Sequence, residues 1–129
     1  MPETTIGQFM TPAPHSIGSE QTLTAAHELI REHAIRHLPV LHGGKLVGLV
    51  SLRDLHLVET LKDVDPAQVT IDEAMTTDVY TVPSATPLRD VVRVMLESKV
   101  GSAVVVDGTR VSGVFTTTDA LKALLHLLD

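Results

Sequence analysis

Residues 48–54 read Gly48-Leu49-Val50-Ser51-Leu52-Arg53-Asp54, and residues 113–119 read Gly113-Val114-Phe115-Thr116-Thr117-Thr118-Asp119. Both follow one pattern: Gly, two apolar residues, Ser or Thr, two variable residues, Asp. The stretches lie 65 residues apart. The same spacing carries Ile6 to Ile71, Met10-Thr11 to Met75-Thr76, Ser19 to Ser84 and Leu23 to Leu88. It also carries Val40 to Val105 and Gly43 to Gly108, and the apolar positions in between keep step without a gap. A fixed period held over this length marks a duplication. The repeats are expected at 1–64 and 65–129, with the segment around 61–68 joining them.

Working outward from the repeated heptad, each copy predicts the same elements. A short helical lead-in (6–10; 71–75) ends at Met-Thr, and an extended piece follows (14–17; 79–82). A helix comes next, with Leu23, Ala26, Leu29 and Ile30 on one face in the first copy and Val91, Val94 and Met95 in the second. Thr86-Pro87 predicts an N-cap followed by proline at the first helical position. Two apolar runs around a glycine turn predict hairpins at 38–50 and 103–115. Closing helices are expected at 52–61 and 117–128. The order is β-α-β-β-α, twice, an α/β (α+β) fold. One copy of about 60 residues buries little apolar surface. Two pseudo-symmetric copies are therefore expected to pack sheet to sheet, with paired clefts lined by equivalent positions.

Composition narrows the function. The chain has 129 residues, a net charge of −6, and neither Cys nor Trp. Disulfides, thiolate metal sites and cysteine nucleophiles are excluded. An acidic chain with three aromatic residues, Phe9, Tyr80 and Phe115, lacks the basic footprint and stacking platform of a nucleic-acid binder. No secretory leader and no apolar run of membrane-spanning length is visible, so a soluble cytoplasmic protein without membrane partners is expected.

The doubled heptad, the Met-Thr lead-ins, the Arg36-His37-Leu38-Pro39-Val40 run and the glycine hairpin resemble the cystathionine-β-synthase (CBS) domain family. The resemblance covers essentially the whole chain, as a tandem pair often called a Bateman module. It implies a ligand of adenine-nucleotide type: AMP first, then ADP or ATP, with S-adenosylmethionine or NAD as alternatives. By resemblance Asp54 and Asp119 contact ribose, and Ser51 and Thr116 contact phosphate. His15, Ser16, Ile17 and Ile35 in one copy, and Val79, Tyr80, Thr81, Val100 and Gly101 in the other, line the adenine.

The chemistry of these residues agrees. A carboxylate accepts two vicinal hydroxyls. A helix N-terminus with a hydroxyl suits phosphate. Gly48 and Gly113 are expected to let backbone approach a ligand. The same Ser/Thr-x-x-Asp pattern reads equally as a helix capping box, and one residue can serve both ends. Arg36, His37 and Arg53 supply cations to the first site. The matching Gly101, Ser102 and Thr118 supply none, so the Ser51–Asp54 site is expected to hold phosphate better.

The remaining signals are plainer. His27-Glu28 and the His33/His37 pair lack a full ligand set, so no metal site is expected. Gly43-Gly44-Lys45 lacks the flanking residues of a phosphate loop and reads as a turn. No nucleophile elbow, dinucleotide fingerprint or triad is present, so no enzyme activity and no required cofactor are expected. Leu121, Leu124, Leu125, Leu127 and Leu128 make the closing helix more apolar than one buried face needs, which predicts a homodimer. The function expected is a stand-alone sensor that reports a nucleotide to an unknown effector protein. The alternative is a ligand-independent dimerisation module.

Overall fold

A computed structural model describes residues 3–13 and 15–129. Seven strands and four α-helices are described: β1 (Thr11–Pro12), β2 (Ile17–Gly18), α1 (Leu23–His33), β3 (His37–His42), β4 (Lys45–Ser51), α2 (Leu52–Lys62), β5 (Thr81–Val82), α3 (Leu88–Ser98), β6 (Ser102–Asp107), β7 (Arg110–Thr116) and α4 (Thr117–Leu128). The lead-ins are short 3-10 turns at Ile6–Gln8 and Ile71–Glu73. The extended piece expected at 14–17 begins on Pro14, which lies outside the described residues; its remainder forms β2.

The strands form two sheets, ordered β1-β7-β6-β5 and β2-β3-β4. The duplication is visible in the register. His37 faces Ser51 and Ser102 faces Thr116. Each hairpin also shifts register at the same repeat position, Val40/Leu41 and Val105/Val106. The hairpin turns need left-handed backbone at Gly43, Gly44 and Gly108, which only glycine adopts freely. The second hairpin is tied to the loop before α3 at Asp107. This carboxylate accepts from the Ser112 hydroxyl and from the Ser84 amide and hydroxyl, which hold it below the usual carboxylate range.

The chain folds as two compact units that do not follow the sequence repeats. A continuous unit spans His15–Val79. A split unit joins the described part of the first fourteen residues to Tyr80–Asp129. Each unit takes its lead-in from the other repeat. Ile6 is fully buried in the split unit's core with Val91, Ala103, Val105 and Phe115. Ile71 and Val69 are buried in the continuous unit's core with Leu23, Leu38, Val40, Val50 and Leu55. The segment around 61–68 is accordingly no free tether. The Pro66 carbonyl accepts from the Thr24 amide, and the Val69 carbonyl accepts from the Leu23 amide at 3.0 Å, at the start of α1.

One helix start differs from its sequence reading. Thr86 does not cap α3. Pro87 occupies the cap position with extended backbone (ψ 135°), and the helix begins at Leu88. Its counterpart 65 residues earlier is Thr22, whose hydroxyl accepts from the Ala25 amide at 3.2 Å and caps α1. Proline at this position keeps the geometry and loses the side-chain acceptor.

Candidate functional site

The repeated heptad becomes a strand-to-helix corner in each unit. β4 and β7 are buried through their Gly-apolar-apolar stretches, and the next residue, Ser51 or Thr116, leaves the sheet with extended backbone and starts a helix. Three residues on, an aspartate turns back to the helix start. At the first corner the Ser51 amide donates to Asp54 Oδ2 at 2.9 Å, and the Asp54 amide donates to Ser51 Oγ at 3.1 Å. This reciprocal pair closes a capping box. Ser51 Oγ acts there as acceptor, so its own proton points elsewhere. Asp54 Oδ1 accepts nothing among the described residues.

The second corner carries the same capping box, with further hydroxyl donors on its aspartate. Asp119 is buried (5% exposed). Its Oδ2 accepts from the Thr116 amide at 2.9 Å and from the Thr116 hydroxyl at 3.2 Å. Its Oδ1 accepts from the Thr11 hydroxyl at 2.8 Å. Thr11 belongs to the lead-in of the split unit, 108 residues away in sequence.

Around the first corner the strand register gathers several of the expected residues. His37 pairs with Ser51, and the Arg36 carbonyl accepts from the Leu52 amide at 2.9 Å, so both lie against the start of α2. Arg53 is exposed in the first turn of that helix. Ile17 and Ile35 are apolar contacts of the continuous unit's core. Ser16 is exposed, while the half-buried His15 ring stacks on His33 with centroids 3.6 Å apart and planes 15° apart. His33 has no place in the sequence reading of the site. Only the chain's return past the end of α1 brings the two rings together.

Around the second corner, Ser102 pairs with Thr116, and the exposed Gly101 offers its carbonyl to the Thr117 hydroxyl at 3.4 Å. Val100 is half-buried, with its amide on the Met95 carbonyl. Tyr80 packs against the core, and burial, with Asp90 adding to it, pushes its phenol above the ordinary value. Thr81 is an exposed residue of β5. Val79 is the last residue of the continuous unit. Its amide donates to the Thr77 carbonyl at 3.1 Å. Thr118, facing solvent, replaces Arg53.

The two glycines work otherwise than expected. A Cβ on Gly48 would stand 2.7 Å from Met75 Sδ and 2.8 Å from the Thr76 carbonyl oxygen. One on Gly113 would stand 2.7 Å from both Met10 Sδ and the Thr11 carbonyl oxygen. The close approach these glycines allow is therefore to the Met-Thr lead-ins, and the space beside them is filled. Among the described residues no group of three or more His, Asp or Glu side chains could hold a metal ion. Among the same residues no helix is long and apolar enough to cross a membrane.

Comparison with known proteins places this architecture. The CBS domain model matches residues 6–58 and 71–126. Hypoxic response protein 1 of Mycobacterium tuberculosis is 29% identical over 122 residues, covering 94% of this chain and 85% of that protein. Its crystal structure, which holds two coordinated zinc ions, has a TM-score of 0.75 at 28% identity and covers 92% of this chain and 98% of that one. The crystal structure of the CBS domain pair of protein MJ0100, in complex with 5'-methylthioadenosine and S-adenosyl-L-methionine, has a TM-score of 0.83 at 26% identity. It covers 98% of this chain and 99% of that one. An inosine-5'-monophosphate dehydrogenase of Korarchaeum cryptofilum is 32% identical over 113 residues, which is 86% of this chain and 22% of that enzyme.

Proposed function

The chain belongs to the CBS domain family, and from that premise we propose that it is a regulatory module whose strand-to-helix corners bind an adenosine-containing ligand, AMP first, ADP or ATP next. The observation that carries this reading is the first corner. There a helix N-terminus, the Ser51 hydroxyl and the half-buried Asp54 meet beside Arg36, His37 and Arg53. The helix start and the cations suit a phosphate; the carboxylate suits vicinal ribose hydroxyls. A protein of net charge −6 needs such local cations to hold an anion. The adenosyl ligands of the MJ0100 pair support the ligand class, and S-adenosylmethionine is retained as the alternative. Zinc is not part of the proposal. A ligand can shift the module's shape or assembly only through unequal affinity for its states, and an effector protein reads that shift.

A second reading has its own support. The aspartates of the two corners serve as helix caps, and α4 leaves Leu121, Leu124, Leu125, Leu127 and Leu128 each more than half exposed. On this reading the chain is a dimerisation module of the cytoplasm. The two readings separate in one experiment on the 13.9 kDa chain. AMP, ATP, NAD and S-adenosylmethionine are titrated calorimetrically, with light scattering recorded on the same samples. The nucleotide reading expects saturable binding of at least one adenosine compound, a raised melting point, and a larger loss from Asp54→Asn than from Asp119→Asn. A scattering mass of twice the chain with no binding to any of the four overturns it in favour of dimerisation alone.

A further inference from the structure

One hydrogen bond at the second corner, without a counterpart at the first among the described residues, falls on the carboxylate oxygen a ribose would use. In the split unit the Thr11 hydroxyl donates to Asp119 Oδ1 at 2.8 Å, while Oδ2 is saturated by the Thr116 amide and hydroxyl. Asp119 is buried, and its carboxylate has a donor on each oxygen. The donor on Oδ1 is an aliphatic hydroxyl, the same chemical group that a sugar presents.

The repeat supplies its own control. Thr76 occupies the position of Thr11, 65 residues on, and its backbone is bonded in the same way. The Leu49 amide donates to the Thr76 carbonyl at 3.0 Å and the Thr76 amide donates to the Leu49 carbonyl at 2.8 Å, as β1 pairs Thr11 with Val114. Yet among the described residues Thr76 sends no hydroxyl to Asp54, whose Oδ1 stays open. The hydroxyl proton of the capping residue follows the same division. Thr116 donates it to Asp119, whereas the Ser51 hydroxyl accepts from the Asp54 amide.

We propose that Thr11 is an intramolecular competitor at Asp119, so that the chain takes one adenosine ligand at the Ser51–Asp54 corner while the Thr116–Asp119 corner is closed by its own lead-in. The inference rests on the nucleotide reading above and adds the residue that sets stoichiometry. Closure is reversible in principle because the strand that carries Thr11 is two residues long and exposed. A ligand at Asp119 must displace a hydroxyl bonded to a charged acceptor. A bond of that kind weakens the competing interaction about ten- to a hundredfold.

Calorimetric titration of AMP, and separately of S-adenosylmethionine, into the wild-type chain, Thr11→Val, Thr11→Ala and Thr11→Ser tests this, with a thermal melt confirming that each variant is folded. One site per chain in wild type and Thr11→Ser, and a second site at least about tenfold tighter in Thr11→Val or Thr11→Ala, is the expected result. That second site should vanish when Asp119→Asn is added. Two sites in the wild-type chain, or no second site in either hydroxyl-free variant, overturns the inference and leaves the nucleotide reading standing. A weaker single site in those variants also overturns it, because Thr11 then positions the carboxylate for ligand. Absence of binding at the Ser51–Asp54 corner in every protein overturns the nucleotide reading, and the inference falls with it.

Discussion

Gly48 and Gly113 carry a steric duty that the sequence reading did not assign to them. Their recurrence before Ser51 and Thr116 is plain in the sequence. Missing side chains there suggest room for a ligand, yet the room is taken by Met75-Thr76 and Met10-Thr11. The obstruction includes a backbone carbonyl, which cannot swing aside as a methionine tip can. Gly48→Ala and Gly113→Ala should each lower stability by about 1–3 kcal/mol in urea denaturation. Adding Met75→Ala to Gly48→Ala should restore only part of the loss. Gly101→Ala is the control, because nothing stands within 4 Å of its would-be Cβ; its change should stay within about 0.5 kcal/mol. The corner residues themselves, Ser51, Asp54, Thr116 and Asp119, were legible because capping and anion binding ask for the same atoms at a helix start. Thr11 and His33 were not, since their partners are reached only after the chain has turned back.

At the scale of the element, hydropathy period and turn chemistry located both hairpins and the two closing helices, α2 and α4, to within a residue or two. The Asp-Gly and Gly-Gly turns and the 3.6-residue spacing of α1 and α3 are local properties, so they survive translation from sequence to structure. The start of α3 was misread because Thr86-Pro87 matches a cap followed by a first-turn proline. The Thr86 carbonyl instead accepts from the Ile6 amide at 2.8 Å, and Pro87 itself becomes the cap. Ile6 arrives from the far end of the chain, which no local pattern encodes. Thr22→Ala, removing a hydroxyl that caps α1, should cost about 1 kcal/mol. Thr86→Ala, whose side chain caps nothing, should shift the melting curve by only a few tenths of a kcal/mol. Equal losses in the two variants would return the cap to Thr86.

At the scale of the molecule, the compact units cross the boundaries of the repeats. A fragment 15–79 contains Val69 and Ile71 with the core they complete, whereas a fragment 1–64 of similar length lacks both. Units near 65 residues stand close to the limit of independent stability, so losing two buried branched side chains is decisive. Fragment 15–79 should give a cooperative thermal melt by circular dichroism and fragment 1–64 should not. A cooperative melt from 1–64 alone would show that the exchanged lead-in is dispensable.

The amino-acid order alone determined the duplication, the order of elements in each copy and the residues at both strand-to-helix corners. Those properties depend on neighbours within a few positions or on a period that can be counted. Which copy lends its lead-in to which sheet, what fills the space beside Gly48 and Gly113, and which of the two aspartates is already occupied were decided by the tertiary structure. Each depends on atoms far apart in sequence, and two near-identical repeats offer the same local choices to both partners. Only packing distinguishes a threonine that reaches an aspartate from one at the same register that does not.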